Sequence, residues 1–468
     1  MNLARHSISS TDPLVLYDVR LDPDSQIFTT STPDGFAVYR TLPLELVRKR
    51  EVSGGILSSV VPMHCSSLLF LVGGGRDPRY PPNKVIFWDE ALGKEVAELE
   101  FRERVRGLAC RRGWLAVALR RRVVVFEIGE SVKRYGEWDT YDNSRGVIAF
   151  ATGEYSTLLA APARQPGHVQ LIHLPPCPPP APIGPPPPIP PRPPVQTAKH
   201  PHSVIVAHNT AITTLSVTRS GRLLATTSVR GTLVRVWDTA TGKQTRELRR
   251  GSDQAEIYGV AFRPDEAEIC VWSDKGTIHV FSLVAGGAGP SNRQSKLSSL
   301  TSFIPIPKYF GSEWSYAQFR IPTQSAHISL TQQAAARDAH PDLAEEEKCT
   351  VGWVQAPTPT HSVAPQPAAA PPAALEYQLI ALTYTGGWYR LALPNKKSSA
   401  VTGITNISST GSVRSGRARS PSGSSVAGGG GRVDKGKGVS SRDSDRKEGG
   451  RDCTLMEFRR FGSWDGWG

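Results

Sequence analysis

Two adjacent arginines, Arg249 and Arg250, close a β-rich run and are followed at once by Gly251. Guanidinium groups meet phosphate or carboxylate oxygens through paired N–H donors, so each arginine can anchor one anion. Neighbouring side chains on a strand point to opposite faces, which aims the pair at two separate pockets rather than one. Gly251 is read as the residue that lets the chain turn directly afterwards. Alone, such a pair reads as a solvated strand edge. Its company changes the reading: His208, Thr226, Ser228, Thr232 and Arg235 stand before it, and Ser273, Lys275, Thr277 and His279 after it. Hydroxyls, imidazoles and cations on both flanks suit polyphosphorylated ligands.

Those residues need a rigid frame, and the chain repeats one. Short apolar runs such as Leu14–Asp22, Gln26–Thr30, Phe36–Thr41, Lys84–Trp88 and Arg122–Ile128 alternate with Gly, Asp and Pro turns, and no long amphipathic helix is visible. The order is an apolar strand, a turn, a second apolar strand, a polar hairpin, a third strand and a more polar fourth. It recurs every 40 to 45 residues or so once insertions are removed, the spacing of propeller blades. The fifth unit is clearest: Ile212–Val217, Leu223–Ser228, Leu233–Asp238 and Gln244–Arg250. Trp237-Asp238 ends its third strand, as Trp88-Asp89 does in the second unit. The pattern predicts an all-β, seven-bladed WD-repeat propeller over 14–394, with blades starting near Leu14, Gly55, Val105, Gly146, Ala211, Ile257 and Thr350. The outer strand of the last blade is assigned to Cys453–Gly462.

Insertions interrupt the frame at 175–203, 284–300, 323–348 and 356–374, and a Ser/Gly-rich basic stretch fills 395–452. The proline tract Pro175–Pro194 should be extended polyproline II. The basic stretch holds 12 Lys/Arg against 5 Asp/Glu, about half of the chain's +13, and is too polar to order itself. A basic surplus favours nucleic acid or acidic lipid without choosing between them. The stretch lacks aromatics interleaved with Arg414, Arg417, Arg419, Lys435 and Lys437, which argues against nucleic acid. Six cysteines with no CxxC pair read as free, buried thiols. No apolar window suits a signal peptide or a membrane span, so any membrane contact should be peripheral. Catalytic signatures are missing too: there is no G-x-S-x-G, no Walker loop and no metal-spaced His/Cys set. The expectation is a binding protein, not an enzyme, with no cofactor. A generic WD-repeat scaffold that binds no lipid is the other reading.

Several stretches resemble one family, the PROPPINs, and within it the shorter-chain subgroup. They are LVGGGRDPRYPPNKVIFWDE (Leu71–Glu90), Val206–Gly251, ICVWSDKGTIHVFSL (Ile269–Leu283) and KYFGSEWSYAQFRIP (Lys308–Pro322). The family's Phe-Arg-Arg-Gly motif here reads Leu248-Arg249-Arg250-Gly251, which keeps both arginines. Phe458-Arg459-Arg460-Phe461 looks similar but lacks the glycine and is treated as a decoy. The resemblance implies one headgroup pocket from His208, Thr226, Ser228, Thr232, Arg235 and Arg249, and another from Arg250, Ser273, Lys275, Thr277 and His279. It implies phosphatidylinositol 3-phosphate and phosphatidylinositol 3,5-bisphosphate as ligands. It also implies an adaptor in autophagy and endolysosomal traffic, cytoplasmic and recruited to preautophagosomal, endosomal and vacuolar membranes. An autophagy lipid-transfer protein would be a partner, docked near Leu71–Trp88. His208 has a second reading, as a histidine that holds a blade turn, and His279 as one that faces solvent. Between the strand of His279 and Trp314, Leu297, Leu300, Phe303, Ile304, Ile306 and Phe310 are apolar, and such a loop either dips into the headgroup boundary or packs on its own propeller.

Overall fold

The computed structural model describes residues 16–52, 56–64, 66–74, 79–177, 200, 202–284, 290–294, 312–322, 348–357, 375–394 and 452–462. These form seven antiparallel sheets, each built in chain order from an inner to an outer strand, one of them with an added fifth strand. The third blade shows why the residues sort as they do. Its inner three strands, Gly107–Arg111, Trp114–Ala118 and Arg122–Ile128, are rich in Val, Ala and Leu, and Trp114–Ala118 is buried throughout. Its outer strand, Val132–Asp139, carries Lys, Arg and Glu and stays largely exposed. Apolar residues on both faces suit a strand packed between two neighbouring blades.

Seven buried clusters fill the gaps between consecutive blades. The cluster joining blades four and five includes Leu171, Ile205, Leu224 and Trp237, and the one joining blades five and six includes Val234, Leu248, Val271 and Phe281. Each fully buried Leu, Val or Phe contributes about 1.5–3 kcal/mol. The ring closes between blades seven and one. Thr454–Arg460 pairs antiparallel with Gly387–Ala392, and Phe461 packs against Phe28 at 5.1 Å and Tyr39 at 5.7 Å. Trp388 Nε1 donates to the Thr41 carbonyl at 3.0 Å, and Tyr384 Oη to Asp18 at 2.9 Å, so polar bonds reinforce the same seam.

The observed blade starts, Asp18, Leu57, Gly107, Ala149, Ile212, Ile257 and Cys349, lie within a few residues of those read from the sequence. Leu14 and Gly55 fall outside the described residues, as do 178–199, 285–289, 295–311, 323–347, 358–374 and 395–451. The six apolar residues from Leu297 to Phe310 belong there too. The five described cysteines, Cys110, Cys177, Cys270, Cys349 and Cys453, are buried and free. No described helix is long and apolar enough to cross a membrane.

Candidate functional site between blades four, five and six

The outer strand of blade five is Gln244–Arg249, so Arg250 lies one residue past its end. Both arginines are buried, with exposures of 3% and 6%. Burying two adjacent guanidinium groups is costly unless each is supplied with acceptors. The two find different ones. Arg249 Nε donates to Ser312 Oγ at 2.9 Å, and its guanidinium lies over the Trp314 ring, 5.7 Å from the centroid. Arg250 Nε donates to the Gly231 carbonyl at 2.9 Å, and its Nη2 to the Asp253 carbonyl. Burial pulls the Arg250 guanidinium below its usual range, partly offset by Asp274 and Asp253.

Cross-strand pairing shows which face each group occupies. Arg249 pairs with Leu233, Glu247 with Arg235, and Arg235 with Thr226, and side chains of paired residues share a face. Leu224 and Trp237 lie on that face and pack against blade four. The opposite face carries Leu248, which packs against blade six. The alternation therefore directs Arg249 to the blade four side and Arg250 to the blade six side.

The blade four side is tightly bonded within itself. His208 Nε2 meets Thr226 Oγ1 at 2.9 Å, and Trp237 Nε1 donates to the same hydroxyl at 3.0 Å. Thr226 has no exposed surface and His208 is 7% exposed. Thr226 is therefore buried within the blade. Its hydroxyl is committed to Trp237 and His208. Burial, with Arg235 adding to it, lowers the His208 pKa to about 4. Arg235 is paired with Glu247 at 3.1 Å and donates to the Ala207 carbonyl at 2.7 Å. Ser228 is buried and Thr232 half-buried; their carbonyls accept from the amides of Gly231 and Arg250 and so brace the hairpin beside Arg250.

The blade six side is more open. His279 lies on Thr277–Ser282 and pairs with Val271, one of the residues packed against blade five. Ser273 and Thr277 share that face by alternation. His279 Nδ1 meets Ser315 Oγ at 3.2 Å. Its pKa is pushed down to about 4 by burial, then by Arg250 and Arg293. Ser273 is 1% exposed, and its hydroxyl accepts from the Lys275 amide at 3.4 Å. Lys275 is exposed and paired with Asp274 at 3.2 Å.

Three features departed from the sequence reading. A two-residue strand, Glu313–Trp314, runs parallel to the outer strand of blade five, with Leu248 opposite Glu313 and Arg249 opposite Trp314. The outer edge of blade five is therefore covered beside the arginines, because the long connection within blade six returns over blade five. Gly251 has open space around it and no left-handed φ, so the turn does not depend on it. The required glycine is Gly231, with φ of 59° and a would-be Cβ 1.7 Å from the Ala255 carbonyl oxygen. Finally, Arg293, Ser312, Trp314 and Ser315 border the site without having been assigned to it. The decoy behaves differently from Arg249-Arg250: Phe458, Arg459 and Arg460 are exposed on the outer strand of blade seven.

The PROPPIN family model matches residues 197–362, which span the end of blade four, blades five and six and the start of blade seven. SVP1-like protein 2 of Pichia angusta is 32% identical over 325 residues, 69% of this chain and 85% of its own. Autophagy-related protein 18e of Arabidopsis thaliana is 30% identical over 308 residues, 64% of this chain and 74% of its own. Hsv2 of Kluyveromyces lactis shares the fold, with a TM-score of 0.56 at 18% identity over 82% of this chain and 95% of that one. The chain belongs to the PROPPIN family.

Proposed function

We propose that this protein is a phosphoinositide-binding peripheral membrane adaptor that acts in autophagy and endolysosomal traffic, with one headgroup anchored by Arg249 and a second by Arg250. The observation that carries the reading is a pair of consecutive, buried arginines that diverge to opposite faces of one blade. The pocket beside blade six offers Arg250, His279, Thr277 and Lys275, and the pocket beside blade four offers Arg249, Arg235 and Thr232. Phosphatidylinositol 3-phosphate and its 3,5-bisphosphate fit this chemistry. His208, Thr226 and Ser273, being buried and bonded internally, serve by holding the walls in place.

A single basic side chain near an anionic leaflet contributes only about 1 kcal/mol. Two pockets on one rigid blade act together, so recruitment should rise steeply with headgroup density. The autophagy assignment rests on the kinship with Autophagy-related protein 18e, and a lipid-transfer partner docked near Leu71–Trp88 follows from the same family reading. Nothing in this role asks the protein to make or break a bond.

The test is vesicle co-sedimentation of native protein and the Arg249→Thr, Arg250→Thr double variant. Vesicles carry either phosphoinositide, or phosphatidylserine at matched charge. Binding selective for the phosphoinositides and lost in the variant is the expected result. Equal binding to phosphatidylserine, or an unaffected variant, would refute the two-pocket reading and leave a protein-binding scaffold.

A further inference from the structure

The outer strand of blade four, His202–Val206, differs from its counterparts. Its sequence, HSVIV, holds no Asp, Glu, Lys or Arg, whereas every other blade's outer strand carries at least one of them. Charges on an outer strand keep other chains from pairing with its free edge. This strand has none, yet Val204 is 50% and Val206 64% exposed. One of its edges pairs with His168–His173, and no described strand lies beyond the other. Ile205 packs toward blade five, so alternation turns His202, Val204 and Val206 toward blade three.

There His202 and Val204 border a groove of about 680 Å³, whose far wall is Glu137, Trp138 and Asp139 at the end of the outer strand of blade three. Gln170 clasps the two walls together. Its Nε2 donates to the carbonyls of Asp139 at 3.0 Å and Pro162 at 2.9 Å, so its Oε1 accepts from His202 Nε2 at 3.0 Å. The carboxylates are already engaged, Glu137 by Arg122 and Arg134 and Asp139 by Arg164. Trp138 is half-buried, and among the described residues its indole N–H has no acceptor. A partly buried tryptophan N–H ordinarily finds one. The groove thus shows apolar surface, an aromatic face and an unused donor. A ligand that fits it has flat apolar rings and bare carbonyls.

The chain supplies such a segment at this place. It leaves blade four after Cys177 and returns at His200, two residues before the strand, and 12 of the 22 residues 178–199 are proline. Proline has no N–H, so the segment cannot extend the sheet as a strand, but it offers carbonyls and rings. Polyproline segments dock in aromatic-lined grooves through those two features. The length suffices: at the polyproline rise 22 residues span roughly 70 Å. A five-residue strand is roughly 17 Å long, which leaves room to run up the groove and back. We propose that the proline tract 178–194 is the resident ligand of the groove between blades three and four. Its rings lie against Trp138, His202 and Val204, and one of its carbonyls accepts from Trp138 Nε1. The tract caps the apolar edge in place of the missing charges. This assignment stands apart from lipid binding.

The experiment uses the full chain in two forms, native and with residues 178–199 replaced by a Gly/Ser linker of equal length. The probe is a fluorescein-labelled synthetic peptide of residues 178–199, read by fluorescence anisotropy. The linker form should bind it at least about 10-fold more tightly than native, whose own tract competes at millimolar effective concentration. Amide hydrogen exchange over 202–206 should be faster in the linker form. In that form Trp138→Ala should remove peptide binding, and Trp138→Phe, which keeps a ring without the N–H, should leave part of it. If Trp138→Ala lowers the melting temperature, Val204→Lys charges the exposed edge without touching the core and should block the peptide equally. Native and linker forms that bind alike, or exchange alike over 202–206, would show the groove unoccupied in the intact chain and overturn the proposal. So would a linker form that binds no peptide, or one that still binds it with both Trp138→Ala and Val204→Lys in place.

Discussion

Lowering the pH should tighten headgroup binding through His279. In the free protein this imidazole is neutral at pH 7, its pKa pushed down to about 4 by burial and by Arg250 and Arg293. A bound phosphate neutralises both guanidinium groups and gives the ring an acceptor, so two of the causes of the shift weaken together. If binding restores the ordinary histidine pKa of about 6.5, proton linkage gives roughly 25-fold tighter binding at about pH 5 than at about pH 7.4. Restoration to about 5.5 leaves roughly a 4-fold gain. The phosphate's own second ionisation near 6 acts in the opposite direction, so the comparison must be internal. His279→Asn keeps a polar group beside Ser315 and cannot titrate. The assay is calorimetric titration of vesicles carrying the 3,5-bisphosphate into native protein and variant across that pH range. The ratio of native to variant affinity should climb as pH falls. Parallel pH profiles for the two proteins would refute the reasoning, because they would place the imidazole outside the reach of the bound phosphate.

In the absence of lipid the same acid range should weaken the fold. The folded His208 pKa of about 4 lies below the unfolded value, so its contribution is complete above about pH 6.5 and lost as pH falls through the folded value. The loss amounts to roughly 3 kcal/mol at most, visible as a falling urea midpoint between pH 7 and 4. Gly231→Ala should cost about 2 kcal/mol or more, since the added methyl meets the Ala255 carbonyl oxygen at 1.7 Å on a φ of 59°. It should also cost lipid binding, because the Gly231 carbonyl holds Arg250; an unchanged melting temperature would contradict this. Arg459→Thr with Arg460→Thr should leave vesicle binding within about 2-fold of native, since both side chains stand exposed on blade seven. A loss as large as that of the Arg249, Arg250 variant would mean the wrong pair has been assigned.

The frame was legible because its signal is local. Val123–Phe126 or Leu223–Ser228 read as strands from composition alone, and Trp-Asp pairs mark where third strands end. The arginine pair was legible because period-two alternation fixes where neighbours point, whatever surrounds them. What escaped the sequence is what depends on long-range placement. Arg293 lies in a Gly/Ser-rich stretch and comes to the site through pairing with Trp314, about twenty residues on. The bonds that Trp237 and His208, on either side of it in sequence, make to the Thr226 hydroxyl are likewise invisible in the sequence. Gly251 and Gly231 show the same limit. Both follow polar turns, but only a carbonyl from another segment, that of Ala255, tells them apart.

The last strand of blade seven has a consequence for how the chain is made. Thr454–Arg460 completes a sheet whose other three strands end at Ala392, and the residues between belong to a separate unit, 395–451. For equilibrium stability the length of that detour matters little, since loop-closure cost grows only with the logarithm of length. For assembly on the ribosome it matters more. At roughly 5–20 residues per second, six blades can be finished while the seventh still lacks its rim. During that interval Phe28 and Tyr39 of blade one have no Phe461 to cover them, and Trp388 sits on an unpaired edge. The seam is then held by the earlier strands of blade seven alone, with the Gly387–Ala392 edge unpaired, and dependence on chaperones should be concentrated in that window.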